Sequence, residues 1–255
     1  MRDVSYQLYS SRNFPPVAQT LRTLADLGYT QVEGYGGVFE DPAELSATQS
    51  ALAATGLSMP SAHIGRDLLA APERVLHIAE TLGISTLICP YLEPAERPAT
   101  PAGWVDLGAD LASLAQPYWD QGLTVGWHNH DFELMATEGQ YPLDLILAAD
   151  DRLVLEMDVA WVVRAGEDPH VWMTKYADRL HALHVKDIAP SGENLDEDGW
   201  ADVGHGVLDW AALLAAAEQT ATKLFVMEHD NPSDDARFAR RAFETVQAIY
   251  GADHG

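Results

Sequence analysis

A single cysteine, Cys89, is present in this 255-residue chain. That excludes an intrachain disulfide and a thiolate cluster for metal, so any metal site must be built from imidazoles and carboxylates. Lysine is scarce too: Lys175, Lys186 and Lys223 are the only three, and with arginine they make 15 bases against 39 acids. At a formal net charge of −24 the chain offers no basic footprint stronger than Arg240-Arg241, so nucleic acid is not an expected partner. The excess acid reads as a solubilising surface or as one that recruits a basic partner. No apolar run approaches the ~20 residues of a membrane span, so no membrane role is expected. The opening "MRDVSYQLYS" lacks the basic-then-apolar layout of a signal peptide, which implies a cytoplasmic protein. Glycine is absent from "YSSRNFPP", the turn after the first strand pattern, where a nucleotide-binding open sheet would need it.

What is present is an alternation of strand and helix patterns. "DVSYQLYS" reads as a strand, and Pro15-Pro16 opens a helix that stops at Leu27-Gly28. "TQVEGYGG" is the second strand; its helix has Asp41 as N-cap, Pro42 at the first position and Gly56 as C-cap. "LSMPSAHIG", "STLICPYL", "GLTVGWHNHDFEL", "RLVLEMDVAW", "LHALHVKD" and "KLFVMEHDNP" continue the series, with helical patterns between them and a long loop after the seventh. Eight such units without a linker predict one α/β domain over residues 1–255, a (β/α)₈ TIM barrel.

A barrel of this kind carries its chemistry at the C-terminal strand ends. Glu33, His63, His128 with His130, Asp158, His184 with Lys186, and Glu228 all fall there. Alternation sharpens the pattern. If Val125, Trp127, Leu155, Met157, Leu183, Val185, Phe225 and Met227 face the helices, then His128, Asp158, His184 and Glu228 face the barrel mouth. Two imidazoles and two carboxylates suit one divalent ion of intermediate hardness, Mn, Zn, Co or Fe. Each assignment has a structural rival. His128 could be a buried core histidine, Lys186 could pair with Asp187, and Glu33 and His63 could be rim structure rather than substrate contacts. Glu156 points inward one layer deeper, where a structural hydrogen bond is expected. Trp161 and Trp200 sit in loops at the active end and could floor a sugar site, whereas His181 should face outward at the wrong end.

Together "GWHNHDFEL", "LEMDVAWVVRAGEDP", "LHVKD", "DVGHGVLDW" and "FVMEHDNP" resemble the sugar phosphate isomerase/epimerase family, the xylose-isomerase-like TIM barrels. The resemblance implies a divalent ion held by Asp158, His184 and Glu228 plus a strand-five ligand. It also implies a substrate loop at "DVGHGVLDW", with His205 where an acid is commoner. The chain departs at strand five: the better understood epimerases carry a glutamate there, and here stands His128, with Glu133 as a possible substitute. The expected activity is isomerisation or epimerisation of a sugar or keto-sugar derivative through α-proton abstraction and a metal-stabilised enediolate. Glu228, His130 and Lys186 are the expected catalytic groups, and Glu33, His63, His205 and Trp161 the expected substrate contacts. A carbohydrate lyase, either a dehydratase or a keto-glycoside eliminating enzyme, is the alternative. Metal-dependent endonucleases share the barrel, but the acidic surface argues against one. A homo-oligomer, a pairing with a sugar oxidoreductase and a non-catalytic sugar-binding role stay open.

Overall fold

The computed structural model describes residues 2–252. Eight strands run parallel in one sheet: β1 (Ser5–Tyr6), β2 (Gln31–Gly34), β3 (Ser58–His63), β4 (Thr86–Cys89), β5 (Thr124–His128), β6 (Val154–Asp158), β7 (Leu180–Val185) and β8 (Leu224–Met227). Their order is β1-β8-β7-β6-β5-β4-β3-β2. A single parallel bridge between Gln7 and Glu33 joins the two ends of that series, so the sheet closes as a barrel. Helices lie between the strands, as parallel crossovers require. Among the described residues no helix is long and apolar enough to cross a membrane.

Local chemistry explains where the elements stop. Asp41 accepts the amide of Ala43 at 2.7 Å and caps Pro42–Thr55, and Gly56 ends that helix at φ 74°. The first strand is shorter than its apolar pattern suggests. The side chain of Gln7 accepts the Tyr9 amide at 3.0 Å and turns the chain into a 3₁₀ helix, Leu8–Ser11. Inside the long loop after β7, Asp187–Ile188 pairs antiparallel with Trp200–Ala201, a ribbon that no alternation pattern announces.

Side-chain alternation separates two cores. Val125, Trp127, Leu155, Met157, Leu183, Val185, Phe225 and Met227 all join the continuous apolar layer between strands and helices. Ala182, Leu224 and Val226 form a separate small cluster inside the barrel. Each leucine-sized side chain so buried stabilises by ~1.5–3 kcal/mol. Register breaks once between β6 and β7, where Leu155 pairs with Leu180 but Glu156 pairs with Ala182. His181 is the extra residue, and the bulge re-aims its side chain. Its Nε2 lies 3.2 Å from Thr86 Oγ1, so it is buried rather than turned outward as strict alternation predicts. It does stand at the end away from the polar rim, beside a cleft with Trp119, Arg152 and Lys223.

Candidate active site

The ends of β5, β6, β7 and β8 bring His128, Asp158, His184 and Glu228 into one group whose ligand atoms all lie within 4.8 Å of one another. All four are buried. Asp158 divides its two oxygens. Oδ1 accepts the Trp161 amide at 2.9 Å and caps the helix Val159–Arg164 that starts directly after the strand. Oδ2 is buried without a hydrogen-bond partner. Asn129 ties the neighbouring strand ends together, its Oδ1 accepting the Asp158 amide at 3.1 Å. Two buried imidazoles and two buried carboxylates whose ligand atoms converge within 4.8 Å form a donor set that fits a divalent ion.

One cation is built in. The Lys186 ammonium is buried 2.7 Å from Asp230 Oδ1 and 3.3 Å from both Asp158 Oδ2 and Glu228 Oε2, and it stands over the Trp200 ring. Asp187, its sequence neighbour, is not its partner. That carboxylate instead accepts the amides of Ile188, Gly204, Gly206 and Leu208 and folds the glycine-bracketed loop around itself. Burial alone would lower the lysine pKa. Asp158, Asp230 and Glu228 outweigh it and hold Lys186 above its ordinary value, so it stays charged. Burial likewise raises Asp158 to about 6, against the pull of Lys186.

A second layer lies beneath. Glu156 and Glu33 are both fully buried, and His184 Nε2 reaches Glu33 Oε1 at 2.8 Å and Glu156 Oε1 at 3.0 Å. Gln7 Nε2 donates to Glu33 at 2.8 Å, and Ser61 Oγ donates to its other oxygen. Burial would push Glu156 up, but His184 and His63 hold it well below the usual carboxylate range. Glu33 moves the other way, raised by burial and then by the charge of Glu156. Glu33 is therefore part of the foundation and does not line the cavity above. His63 belongs to both levels: it bonds Glu156 at 2.7 Å and also lines the cavity above.

That cavity, about 650 Å³, opens above the four-residue group. His128, His130, Trp161 and Glu228 line it. The His130 ring packs against Tyr91 at 5.0 Å and Trp161 at 5.2 Å, and its buried Nδ1 has no hydrogen-bond partner. Burial, then His128 and Lys186, depress its pKa well below the ordinary value, which leaves a neutral imidazole. Glu133 lies outside the four-residue group. Its oxygens accept Trp127 Nε1 at 2.9 Å and the His130 amide at 2.8 Å, bracing the strand-five loop from behind. His205 does not reach the cavity either: it is exposed on a separate cleft with Arg237 and Arg241. The four backbone bonds to Asp187 fix the loop in that direction. Rim residues that alternation did not reveal are Asp230, Tyr9, Arg12, Tyr35, Tyr91 and Arg97. They follow strand ends on loops and, for Tyr9, in the short 3₁₀ helix Leu8–Ser11, where no strand alternation exists.

A barrel of eight parallel strands with a buried histidine–carboxylate group at their C-terminal ends defines a TIM-barrel protein with a candidate metal site. The chain belongs to the xylose isomerase-like TIM barrel family, whose pattern matches residues 21–248. Over 85 residues it is 26% identical to an inosose dehydratase of Lacticaseibacillus casei, a stretch that is 33% of this chain and 28% of that protein. Its fold is similar to a sugar phosphate isomerase/epimerase from Parabacteroides distasonis, with a TM-score of 0.80 at 19% identity over 97% of this chain and 94% of the other. It is also similar to the IOLI protein, solved with a binding zinc atom, with a TM-score of 0.73 at 14% identity over 98% and 99% of the two chains.

Proposed function

We propose that the protein is a divalent-metal-dependent isomerase or epimerase acting on a sugar or keto-sugar derivative. The observation that carries this reading is that Glu228, a member of the four-residue group at the end of β8, and His130 beyond β5 line one cavity. An ion held by His128, Asp158, His184 and Glu228 would supply Lewis-acid polarisation of the substrate carbonyl; the IOLI protein with its zinc atom is a precedent for the fold.

The chain's own groups move the proton. Glu228 Oε2 is engaged by His184 and Lys186, which leaves Oε1 to face substrate. Oε1 takes the proton α to the carbonyl, the C–H bond breaks, and its electron pair moves onto the carbonyl oxygen to give an enediolate. The neutral His130 imidazole serves the opposite side of the cavity and exchanges a proton there. Return of the proton from Glu228 to the adjacent carbon gives an isomer, and delivery to the opposite face of a solvent proton first taken up by His130 gives an epimer. Lys186, fixed as an ammonium, stabilises negative charge on oxygen, and His63 and Trp161 bound the substrate from the side.

Dehydration is the second reading, favoured by His128 in place of the strand-five glutamate and by the likeness to inosose dehydratases. The same first step would then expel a β-hydroxyl as water, with the proton taken up by Glu228 passed to the leaving oxygen. Incubating metal-loaded protein with a panel of keto sugars and keto cyclitols in D₂O separates the two. Deuterium in a product of unchanged composition supports the isomerase, and a product lacking the elements of water supports the dehydratase. No α exchange with any compound overturns both.

A further inference from the structure

Charge around the cavity is unevenly used. Five carboxylates line it, Glu40, Asp131, Asp198, Glu228 and Asp230, against the two guanidinium groups of Arg12 and Arg97. The acids follow β2, β5, β7 and β8, so negative charge stands on several sides of the mouth. Each nearby cation already has acceptors within the protein. Arg12 Nη1 donates to the carbonyls of Tyr9 and Asp230, and the guanidinium lies 4.0 Å from the Tyr9 ring centroid. Arg97 donates from Nε to the Leu92 carbonyl at 3.1 Å and from Nη2 to the Tyr91 hydroxyl at 2.9 Å. Lys186 is enclosed by Asp158, Glu228 and Asp230. The acids divide differently. Glu228 and Asp230 serve His184 and Lys186, whereas the side chains of Glu40, Asp131 and Asp198 have no hydrogen bond or ion pair among the described residues.

A phosphate or carboxylate on a substrate is held best by the paired N–H donors of a guanidinium. In Arg97 the adjacent donors Nε and Nη2 are both engaged. An ion at Asp158 and Glu228 would be matched in charge by those two groups, as Lys186 is by Asp230, so neither leaves positive charge over for an anion. The walls act in the same sense. Tyr9, Tyr35, Tyr91, Phe132 and Trp161 line the cavity, and the face of an aromatic ring is its negative side. Such faces suit the C–H side of an uncharged ring, and unpartnered carboxylates accept from hydroxyls.

We propose that the substrate is an uncharged polyhydroxy carbonyl compound, bearing neither phosphate nor carboxylate. Glu40, Asp131 and Asp198 select it, accepting hydrogen bonds from its hydroxyls and repelling anionic analogues. This rests on the reading of the cavity as the site of a sugar isomerase or epimerase and narrows the compounds that reading admits.

The test measures binding apart from turnover. Zn²⁺-loaded protein is titrated with ribulose, xylulose, fructose and tagatose and with the monophosphate of each, followed by intrinsic fluorescence, and α exchange in D₂O is recorded in parallel. At least one free ketose should bind, about 10-fold or more tighter than its own phosphate, the scale of a like-charge clash. Raising KCl from about 0.05 M to about 0.5 M should narrow that gap by screening the repulsion. The combined variant Glu40→Gln, Asp131→Asn, Asp198→Asn should weaken the free ketose and narrow the gap several-fold. A phosphate that binds as tightly as its free ketose overturns the proposal, as does salt that selectively weakens the phosphate. The full wild-type gap in the triple variant overturns selection by these three carboxylates. No binding by any free ketose overturns the proposal outright. The two readings fail separately: preference for the free ketose without α exchange supports the uncharged class and overturns the proton-transfer chemistry, and α exchange confined to phosphates does the reverse.

Discussion

At the scale of single residues, the two histidines of "WHNH" separate by level. His128 is buried with its ring centroid 4.4 Å from that of His184, inside the four-residue group. His130 stands one step further out, in the aromatic wall of the cavity and outside that group. His128→Ala should therefore lose both bound metal and activity. His130→Ala should keep the metal while kcat falls by about 100-fold or more, as when a general acid–base group is removed. Metal analysis after dialysis, paired with turnover of whichever substrate the D₂O panel identifies, checks both. A His130→Ala protein emptied of metal would exchange the two roles. The separation was legible in the sequence because alternation along a strand is rigid. The convergence of His63, 93 residues away, on Glu156 was not, because closure of a barrel leaves no local pattern. Lys186 shows the same limit. Its nearest carboxylate in sequence, Asp187, faces away, and its closest partner in space is Asp230, on the loop after β8.

Elements show what alternation can and cannot locate. All eight strands were legible from their apolar positions, and the caps at Asp41 and Gly56 from residue type alone. The bulge at His181 and the ribbon Asp187–Ile188 with Trp200–Ala201 were not. Both depend on which backbone group finds a partner, which composition does not encode. The glycines of "DVGHGVLDW" illustrate this. Gly204 has φ 81°, a left-handed conformation that favours glycine. Gly206 is required for a different reason: a Cβ there would run into the Asp187 carboxylate and the Ile188 carbonyl. Gly206→Ala should thus push the loop off Asp187 and cost about 1–3 kcal/mol, the usual scale of overpacking. Chemical denaturation measures the loss, and hydrogen exchange should quicken at the amides of Gly204 and Leu208. Unchanged exchange at both amides would show that the loop does not depend on this close approach.

For the molecule as a whole, charge and buried acids act together on stability. At −24 the folded chain repels itself at neutral pH, and that repulsion fades toward its isoelectric point near 4.5. Glu133 adds a dependence of the same sign. Burial raises it to about 8 from an ordinary 4.5. The folded state therefore holds a proton that the unfolded chain has released, and the resulting stability is complete below about 4.5 and lost as pH rises through about 8. Glu197 works in reverse. Burial opposes it, but Ser233 and Arg237 hold it at about 2, so its contribution is present above about 4.5 and lost as pH falls toward 2. Stability of the metal-free protein should then peak near pH 5 and decline toward pH 8. Salt separates the two causes. In 1 M salt, screening over ~3 Å suppresses repulsion between exposed charges but leaves a buried carboxyl largely untouched. Thermal midpoints measured from pH 5 to pH 8 in 1 M NaCl should still fall, and Glu133→Gln should flatten that fall without abolishing it, because Asp158, raised to about 6, titrates in the same range. A Glu133→Gln protein with the full wild-type slope would mean that Glu133 is already ionised in the fold, with the Trp127 and His130 N–H groups as its counterweight.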